Sequence, residues 1–137
     1  MEDAVSRYCT ASEQGDIDGL LATLAPDAEV VSPISARAVF RGSDDLRTLL
    51  SAVYRTLEDW HWDERLGDGR VRVATGAGRV VGLRLTDVTV FELADDGLIA
   101  RMTPHLRPWL ATTAFAIALA ARLAPDPGLL GRAMRPA

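Results

Sequence analysis

The sequence is short of the side chains that bind metals and form disulfides. Cys9 is the only cysteine among the 137 residues, so no disulfide can form within the chain. A zinc site built from several thiolates is excluded for the same reason. The two histidines, His61 and His105, leave little material for a metal site of another kind. We therefore expect a protein that works without a metal and without a cofactor.

The sequence also lacks an excess of basic residues. Its 15 basic residues are outnumbered by 19 acidic ones, both signs are interspersed, and the formal net charge is -4. Nucleic-acid binding depends on the neutralisation of phosphates, so we expect no nucleic-acid partner. The first residues, Met1 to Asp3, have neither the basic region nor the apolar run of a signal peptide. The expected compartment is therefore the cytoplasm.

One long segment without charge, Trp109 to Ala121, has to be tested as a membrane helix. A helix of this length spans about 20 Å, whereas the hydrocarbon core of a bilayer is about 30 Å thick. We therefore expect no transmembrane segment and interpret these residues as a buried or interface-forming helix. Covering a pocket, pairing two subunits and lying on a membrane surface stay open as its role.

The remaining composition is that of one folded domain. Hydrophobic residues make up 48% of the chain and charged residues 25%, which is enough for a core at this length. Apolar residues recur mostly at helical spacing up to residue 57 and alternate after residue 60, which predicts helices followed by strands. The predicted helices cover residues 3–14, 17–24 and a stretch from Gly42 or Ser43 to Leu57, and the predicted strands cover residues 28–32, 60–66, 70–74, 83–93 and 98–106.

Turn-forming residues mark the ends of these elements. The glycines at 76, 78 and 82 predict a bend, a bulge or a second turn after residue 74. Pro108 precedes the uncharged helix, and two prolines near residue 125 end it. We expect one domain over residues 1–123 and a short tail over residues 124–137, in which Leu129 and Leu130 can dock on the domain.

The order and spacing of several short segments resemble one protein superfamily. These segments are residues 5–8, 15–20, 24–30, 40–42, 91–93 and 96–99. They are similar to the SnoaL-like and nuclear-transport-factor-two-like superfamily over roughly residues 4–106. The resemblance implies an α+β cone, in which a curved antiparallel sheet wraps around N-terminal helices and leaves a deep, mostly apolar pocket. We expect an extra apolar C-terminal helix and a homodimer formed through the outer sheet face, this helix, or both.

The resemblance extends to enzymes such as ketosteroid isomerase, polyketide cyclases, limonene-epoxide hydrolase and scytalone dehydratase, alongside domains with no known catalysis. Ketosteroid isomerase carries a helical tyrosine, an aspartate base after the first strand and a protonated aspartate deeper in the pocket. Tyr8 matches the tyrosine, but Ser32 stands at the position of the base and Thr89 near the second acid. The last-strand acid of the epoxide hydrolases falls near Pro104. Both schemes therefore lack acids in this chain.

Asp87 is the acid that we expect to act in the pocket. With a period of two, it shares one strand face with Leu85, Thr89 and Phe91. Desolvation among such neighbours raises the pKa of a carboxyl group and suits it to proton transfer. The alternative is that the strand twists here, so that Asp87 is solvated or only accepts structural hydrogen bonds.

Two further residues are candidates for catalysis with Asp87. Tyr8 lies on the apolar face of the first helix, where its hydroxyl can donate to a ligand oxygen or bond to a backbone carbonyl in the core. His105 lies where the last strand gives way to helix, and an imidazole at a pocket rim can act as an acid or a base. Strict alternation, however, places His105 on the face opposite Met102 and Pro104.

The side chains expected to line the pocket are Ser32, Trp60, Trp62, Thr89, Phe91 and Met102. The two tryptophans share a strand face and can form the wall of a flat ligand's site, or they can pack in the core or in an interface. His61 and Asp63 lie on the opposite face of that strand, where we expect an ion pair at the surface or in an interface rather than a catalytic dyad.

Two functions from different classes fit these residues. The first is a cofactor-independent isomerase, cyclase or hydrolase that acts on a small hydrophobic molecule by acid-base catalysis. Asp87 and Tyr8 are its acid-base and polarising groups. The second is a non-catalytic ligand-binding or dimerisation domain of the same fold. Burial of Asp87 beside Tyr8 favours the first function, whereas a solvent-facing Asp87 favours the second.

Overall fold

Helices and strands follow one another in groups along the chain, in a mixed α+β arrangement. The computed structural model describes residues 3–35 and 37–136. The predicted domain begins at residue 1 and the predicted tail ends at residue 137, and both of these ends lie outside the described residues. The helices are α1 (Ala4–Gln14), α2 (Ile17–Leu21), α3 (Ser43–Thr56), α4 (Trp109–Leu123) and α5 (Pro127–Ala133). The strands are β1 (Leu24–Val31), β2 (Val39–Arg41), β3 (Glu58–Leu66), β4 (Val71–Val80), β5 (Leu83–Leu93) and β6 (Ile99–Arg107).

The strands form one curved, open sheet in the order β2-β1-β6-β5-β4-β3. Neighbouring strands are antiparallel except for β1 and β6, which run parallel. The expected antiparallel cone is therefore confirmed with one parallel pair. Its longest regular ladder joins β4 to β5, from Val71 opposite Glu92 to Val80 opposite Leu83.

The helices cover the concave face of this sheet with two groups of buried side chains. The larger group joins α1 and α3 to the strands and includes Tyr8, Leu46 and Phe91. The smaller group joins α4 to β4 and β5, through Phe115 and Leu85 among others. No helix in the described ranges is long and apolar enough to cross a membrane.

The second helix is shorter and the first strand longer than the sequence predicts. Leu24, predicted as the end of the helix, is the first residue of β1. Pro26 lies within that strand and not after it, at a point where the pairing of β1 with β6 is irregular between Leu24 and Glu29. A proline without an N–H group removes no regular ladder bond there, so the strand tolerates it.

Gly82 lies in the predicted second turn, between β4 and β5, but Gly76 and Gly78 do not interrupt β4, which is a second correction. β4 runs through Gly76 and Gly78 as far as Val80, and the irregular pairing lies instead in β3. A Cβ atom on Gly76 would lie 2.4 Å from Cζ2 of Trp60, and one on Gly78 would lie 2.8 Å from Cε3 of the same ring. Glycine is therefore needed here because the indole packs directly on the backbone of β4.

The predicted tail contains a helix that sequence periodicity does not reveal. Asp126 precedes Pro127 at the start of α5, an arrangement that favours helix initiation, but the glycines within the segment obscure the signal. Leu129 is buried as expected, whereas Leu130 is exposed. Arg132 fixes α5 to the start of α3 by donating two hydrogen bonds of 2.9 Å to the carboxylate of Asp45.

We predict that Gly76→Ala destabilises the protein by about 1–3 kcal/mol, because the new methyl group can fit only if Trp60 moves. The free energy of unfolding from urea titration measures the effect. Gly69→Ala is the matched control, since its Cβ would meet nothing within 4 Å. Equal unfolding free energies for the two variants would show that the indole does not depend on this glycine.

Candidate functional site

An apolar cavity opens between the concave face of the sheet and helices α1, α3 and α4. Its volume is about 110 Å³. Phe115 and Leu119 of α4 line one side, and Met102, Pro104 and Leu106 of β6 line another. The cavity suits a ligand that is mostly apolar.

Seven of the nine predicted site residues line this cavity, namely Tyr8, Ser32, Trp60, Trp62, Asp87, Thr89 and Met102. Phe91 is fully buried next to it, with its ring centroid 5.6 Å from that of Tyr8. The ninth, His105, has an exposed side chain whose Nδ1 lies 3.1 Å from the carbonyl oxygen of Val88. Its imidazole therefore lies away from the cavity, as strict alternation along β6 predicts.

Asp87 is buried on the concave face of β5, with 4% of its surface exposed. One carboxylate oxygen, Oδ1, accepts a hydrogen bond of 3.1 Å from the backbone N–H of His105, and Oδ2 accepts one from the hydroxyl of Thr89. Burial raises the pKa of Asp87 to about 6, although these hydrogen bonds oppose the shift. The carboxyl group can therefore exist in both protonation states near neutral pH.

Two tyrosine hydroxyls meet in the same cavity. The hydroxyl oxygens of Tyr8 and Tyr54 are 2.8 Å apart, so one hydroxyl donates to the other, and the accepting hydroxyl keeps a proton that it can donate onward. Burial raises the pKa of both side chains, which stay neutral at physiological pH. Sequence reasoning missed Tyr54 as a site residue. Its place in the apolar stripe of α3 is a signal that cannot distinguish a pocket residue from a core residue.

The two tryptophans of β3 form an aromatic wall of the cavity. Their rings are perpendicular, with centroids 5.3 Å apart. Nε1 of Trp62 donates a hydrogen bond of 2.8 Å to the hydroxyl of Ser12 on α1. Nε1 of Trp60 is also buried but has no hydrogen-bond partner in the described part of the chain.

Two other polar side chains considered in the sequence analysis, those of Ser32 and His61, have hydrogen-bond or ion-pair partners outside the reacting groups of the cavity. The Ser32 hydroxyl accepts hydrogen bonds of 3.0 and 3.1 Å from the backbone N–H groups of Ile34 and Ser35, and so shapes the loop after β1. Nε2 of His61 lies 3.2 Å from Oδ1 of Asp63 at exposed positions, which is the surface pair that the sequence predicts.

Comparisons with known proteins agree with this geometry. The model of the SnoaL-like domain family matches residues 5–102. A solved protein from Silicibacter pomeroyi DSS-3 with a cystatin-like fold is 22% identical, with a TM-score of 0.88 over 97% of this chain and 95% of that one. A steroid delta-isomerase from Pseudomonas aeruginosa is 26% identical, with a TM-score of 0.81 over 89% of this chain and 90% of that one.

A third solved structure extends the range of similar proteins. The epoxide hydrolase/cyclase-like enzyme SalBIII, which has a role in pyran ring formation in the polyether salinomycin, is 18% identical to this chain. Its TM-score is 0.65 over 79% of this chain and 90% of that one, which shows a shared fold. No curated protein matches the chain in sequence.

The burial of Asp87 predicts a specific dependence of stability on pH. Its pKa is raised from 3.8 to about 6 in the folded protein, so this group's contribution to stability is complete below pH 4 and is lost as pH rises through 6. The loss amounts to roughly 3 kcal/mol. Asp87→Asn can keep both hydrogen bonds, with its oxygen accepting from His105 and its amide donating to Thr89.

We therefore expect Asp87→Asn to gain stability relative to the native protein as pH rises from 4 to 7, by up to roughly 3 kcal/mol. Urea unfolding of both proteins at several pH values measures the difference between their free energies of unfolding. The other titrating groups are common to both proteins, so their contributions cancel in this difference. Asp63→Asn, at an exposed position, is the control. A constant difference between Asp87→Asn and the native protein would show that the carboxyl group of Asp87 is solvated.

Proposed function

Since the chain belongs to the SnoaL-like domain family, we propose that its cavity binds a small hydrophobic molecule and moves a proton on it without a cofactor. One observation carries this proposal. A buried carboxyl group with a pKa of about 6, that of Asp87, lines the same apolar cavity as a hydrogen-bonded pair of tyrosine hydroxyls. A proton acceptor and donors for a developing negative charge are the two parts that such a reaction needs.

Asp87 acts as the base in this proposal. Proton transfer by a side chain is most effective when its pKa lies near the operating pH, because the group must both take up and release the proton. The carboxylate of Asp87 would remove a proton from a carbon next to a carbonyl group and return it to the same or another carbon of the ligand. The apolar lining strengthens the carboxylate as a base because it provides little solvation for the charge.

The tyrosine pair stabilises the oxygen of the ligand as the proton leaves. The negative charge of Asp87 is among the causes that raise the pKa of Tyr8 and Tyr54, so the carboxylate and the two hydroxyls affect each other electrostatically. When Asp87 takes up the proton, the charge moves to the carbonyl oxygen of the ligand. A neutral hydroxyl that donates to that oxygen stabilises the charge in a site with little water.

The similarity to a steroid delta-isomerase supports an isomerase-type reaction, and in our proposal the base lies on a different strand from the position of Ser32. Ser32, at the position of the base in ketosteroid isomerase, has a hydroxyl that already accepts two backbone hydrogen bonds. Serine at neutral pH does not remove a carbon-bound proton unaided. Asp87 on β5 is the carboxyl group of the cavity lining that can take this role.

A non-catalytic ligand-binding domain is the second candidate, and a specific observation favours it. Both carboxylate oxygens of Asp87 accept hydrogen bonds from Thr89 and from the backbone of His105. The bond from His105 joins β5 to β6, and the bond from Thr89 holds the carboxylate along β5, so the carboxylate can be structural while the cavity only binds its ligand.

The homodimer and the cytoplasmic location expected from the sequence stay predictions. In support of self-association, three apolar side chains of α4 are exposed, those of Trp109, Leu110 and Ile117. Exposed apolar side chains on one helix are typical of a surface that another protein covers.

Exchange of ketone protons tests the function without knowledge of the natural ligand. We expect the native protein to accelerate hydrogen–deuterium exchange at the carbon next to the carbonyl of α-tetralone in D₂O, measured by proton NMR. Asp87→Asn should lower the protein-dependent rate by about 100- to 10,000-fold, because an amide cannot accept the proton. The native rate should rise with pH through about 6, where the carboxyl group ionises.

Asp63→Asn, which alters an exposed acid, should exchange α-tetralone at the native rate. Full activity of Asp87→Asn would remove Asp87 from the mechanism. A native protein that binds α-tetralone but exchanges no protons would favour the non-catalytic candidate.

Single tyrosine variants identify which hydroxyl donates to the ligand. Tyr8→Phe and Tyr54→Phe should both fold, which circular dichroism checks, and should lower the exchange rate unequally. Loss of the hydroxyl that donates to the ligand should cost about 100- to 1,000-fold in kcat. Loss of its supporting partner should cost much less. Native exchange rates in both variants would mean that neither hydroxyl contacts the reacting oxygen.

A further inference from the structure

One hydrogen-bond donor of the cavity wall is left without a partner. In the described residues, the buried side-chain nitrogen and oxygen atoms that lack a hydrogen bond are Nε1 of Trp60 and Oγ1 of Thr112. Trp60 lines the cavity, whereas Thr112 is not among its lining residues. Buried polar groups are almost always paired, because an unpaired donor has lost its hydrogen bond to water without replacement. The indole N–H of Trp60 therefore needs an acceptor that the described chain does not supply.

The indole of Trp60 is held in place by its surroundings. Gly76 and Gly78 leave room for the ring on the backbone of β4, where any Cβ atom would collide with it. The ring of Trp62 packs perpendicular to it at 5.3 Å. These contacts restrict rotation of the indole, so its N–H group cannot turn easily toward another acceptor.

The same packing places the indole beside Asp87. Gly76 is the direct partner of Asp87 across the β4–β5 ladder, and the side-chain positions of direct partners are about 5 Å apart. A Cβ atom on Gly76 would lie 2.4 Å from the Trp60 ring, so the ring occupies the space above Gly76 on the face of the sheet that carries Asp87. The carboxylate of Asp87 accepts its hydrogen bonds from Thr89 and from the backbone of His105, and the indole N–H of Trp60 has no partner in the described residues.

We propose that the indole N–H of Trp60 is a ligand-binding donor, which takes an oxygen acceptor of the molecule bound beside Asp87. This donor is separate from the tyrosine pair, whose hydroxyls come from α1 and α3. The ligand class that matches both is a neutral, mostly apolar molecule with two oxygen functions, one for the tyrosines and one for Trp60. A net charge on the ligand is disfavoured by the apolar lining, which would desolvate it.

This inference rests on the proposed function only in that it uses the same cavity, and it does not require Asp87 to be catalytic. Three bicyclic probes of nearly equal shape separate the contributions of their oxygen atoms. Tetralin has no oxygen, α-tetralone has a carbonyl oxygen, and chromanone has a carbonyl and a ring oxygen.

Two-dimensional proton–nitrogen NMR of the labelled protein reports directly on the indole groups. The variants Trp60→Phe, Trp62→Phe and Trp109→Phe assign the three indole signals. We expect the Trp60 signal to move downfield on addition of chromanone, whose ring oxygen is free to accept from Trp60, but not of tetralin, because a new hydrogen bond deshields the proton. The signal of Trp109, which is 80% exposed, should not move.

Binding of the probes to variants supplies the second measurement. Trp60→Phe keeps an aromatic ring but loses the donor, so chromanone should bind about 3- to 10-fold more weakly than to the native protein. Tetralin should bind both proteins equally, and Trp109→Phe should bind all three probes with native affinity. Chromanone should bind the native protein more tightly than α-tetralone, and Trp60→Phe should lose this preference.

The proposal is overturned if chromanone leaves the Trp60 signal unmoved, whether it saturates the protein or fails to bind. Equal affinity of Trp60→Phe and the native protein for chromanone overturns it as well. The NMR result on the native protein decides the question even if the variant folds poorly. The exchange experiment on α-tetralone tests the proposed function separately. If the Trp60 signal shifts but the protein exchanges no protons, Trp60 remains a ligand-binding donor and Asp87 has no catalytic role.

Discussion

The carboxyl group of Asp87 is enclosed by apolar side chains, and much of the surrounding structure serves to keep water from it. Ionisation of an acid at this depth opposes folding, by roughly 3 kcal/mol for a pKa raised to about 6. Two hydrogen bonds, from Thr89 and from the backbone of His105, oppose the effect of burial and are already included in this cost. The aromatic packing of Tyr8, Trp62 and Phe91 supplies apolar burial on the same concave face.

That enclosure depends on the fit between β3 and β4. Two glycines of β4 allow the Trp60 indole to approach the backbone, and the indole in turn covers the strand position next to Asp87. Larger residues at Gly76 or Gly78 would displace the ring and open the region around the carboxyl group to water. The features that read as strand breakers in the sequence are thus the ones that let the cavity wall form.

The polar groups of the cavity come from elements far apart in the chain. Tyr8 lies on α1, Tyr54 on α3, Trp60 on β3 and Asp87 on β5, and the curved sheet brings them to one apolar space. The SnoaL-like fold by itself does not specify a reaction, and its members can differ in function. By its resemblance to ketosteroid isomerase, this chain has Ser32 at the position of the base and Thr89 near that of the second acid, and the acid in its cavity lining is Asp87 on β5.

Local patterns in the sequence were sufficient to predict the α+β class, the order of most elements and the concave face of β5. Alternation along that strand placed Asp87 and Thr89 in the cavity, and alternation along β6 placed Met102 toward it and His105 away from it. These features follow from backbone geometry over neighbouring residues, which the sequence determines directly. The helix α5 and the full length of β4 could not be predicted, because glycines within both segments weaken the local signal.

The tertiary structure alone decided which side chains meet. The hydrogen bond between Tyr8 and Tyr54 joins residues 46 positions apart, and nothing in the apolar stripe of α3 distinguishes Tyr54 from its buried neighbours. The surroundings of the unpaired N–H of Trp60 and the hydrogen bond from the backbone of His105 to Asp87 likewise depend on contacts between separate strands. The sequence by itself determined which side chains share a face of each helix or strand, because that pattern repeats over neighbouring residues. The site depended on how these faces pack together, because packing brings residues into contact that are far apart in the chain.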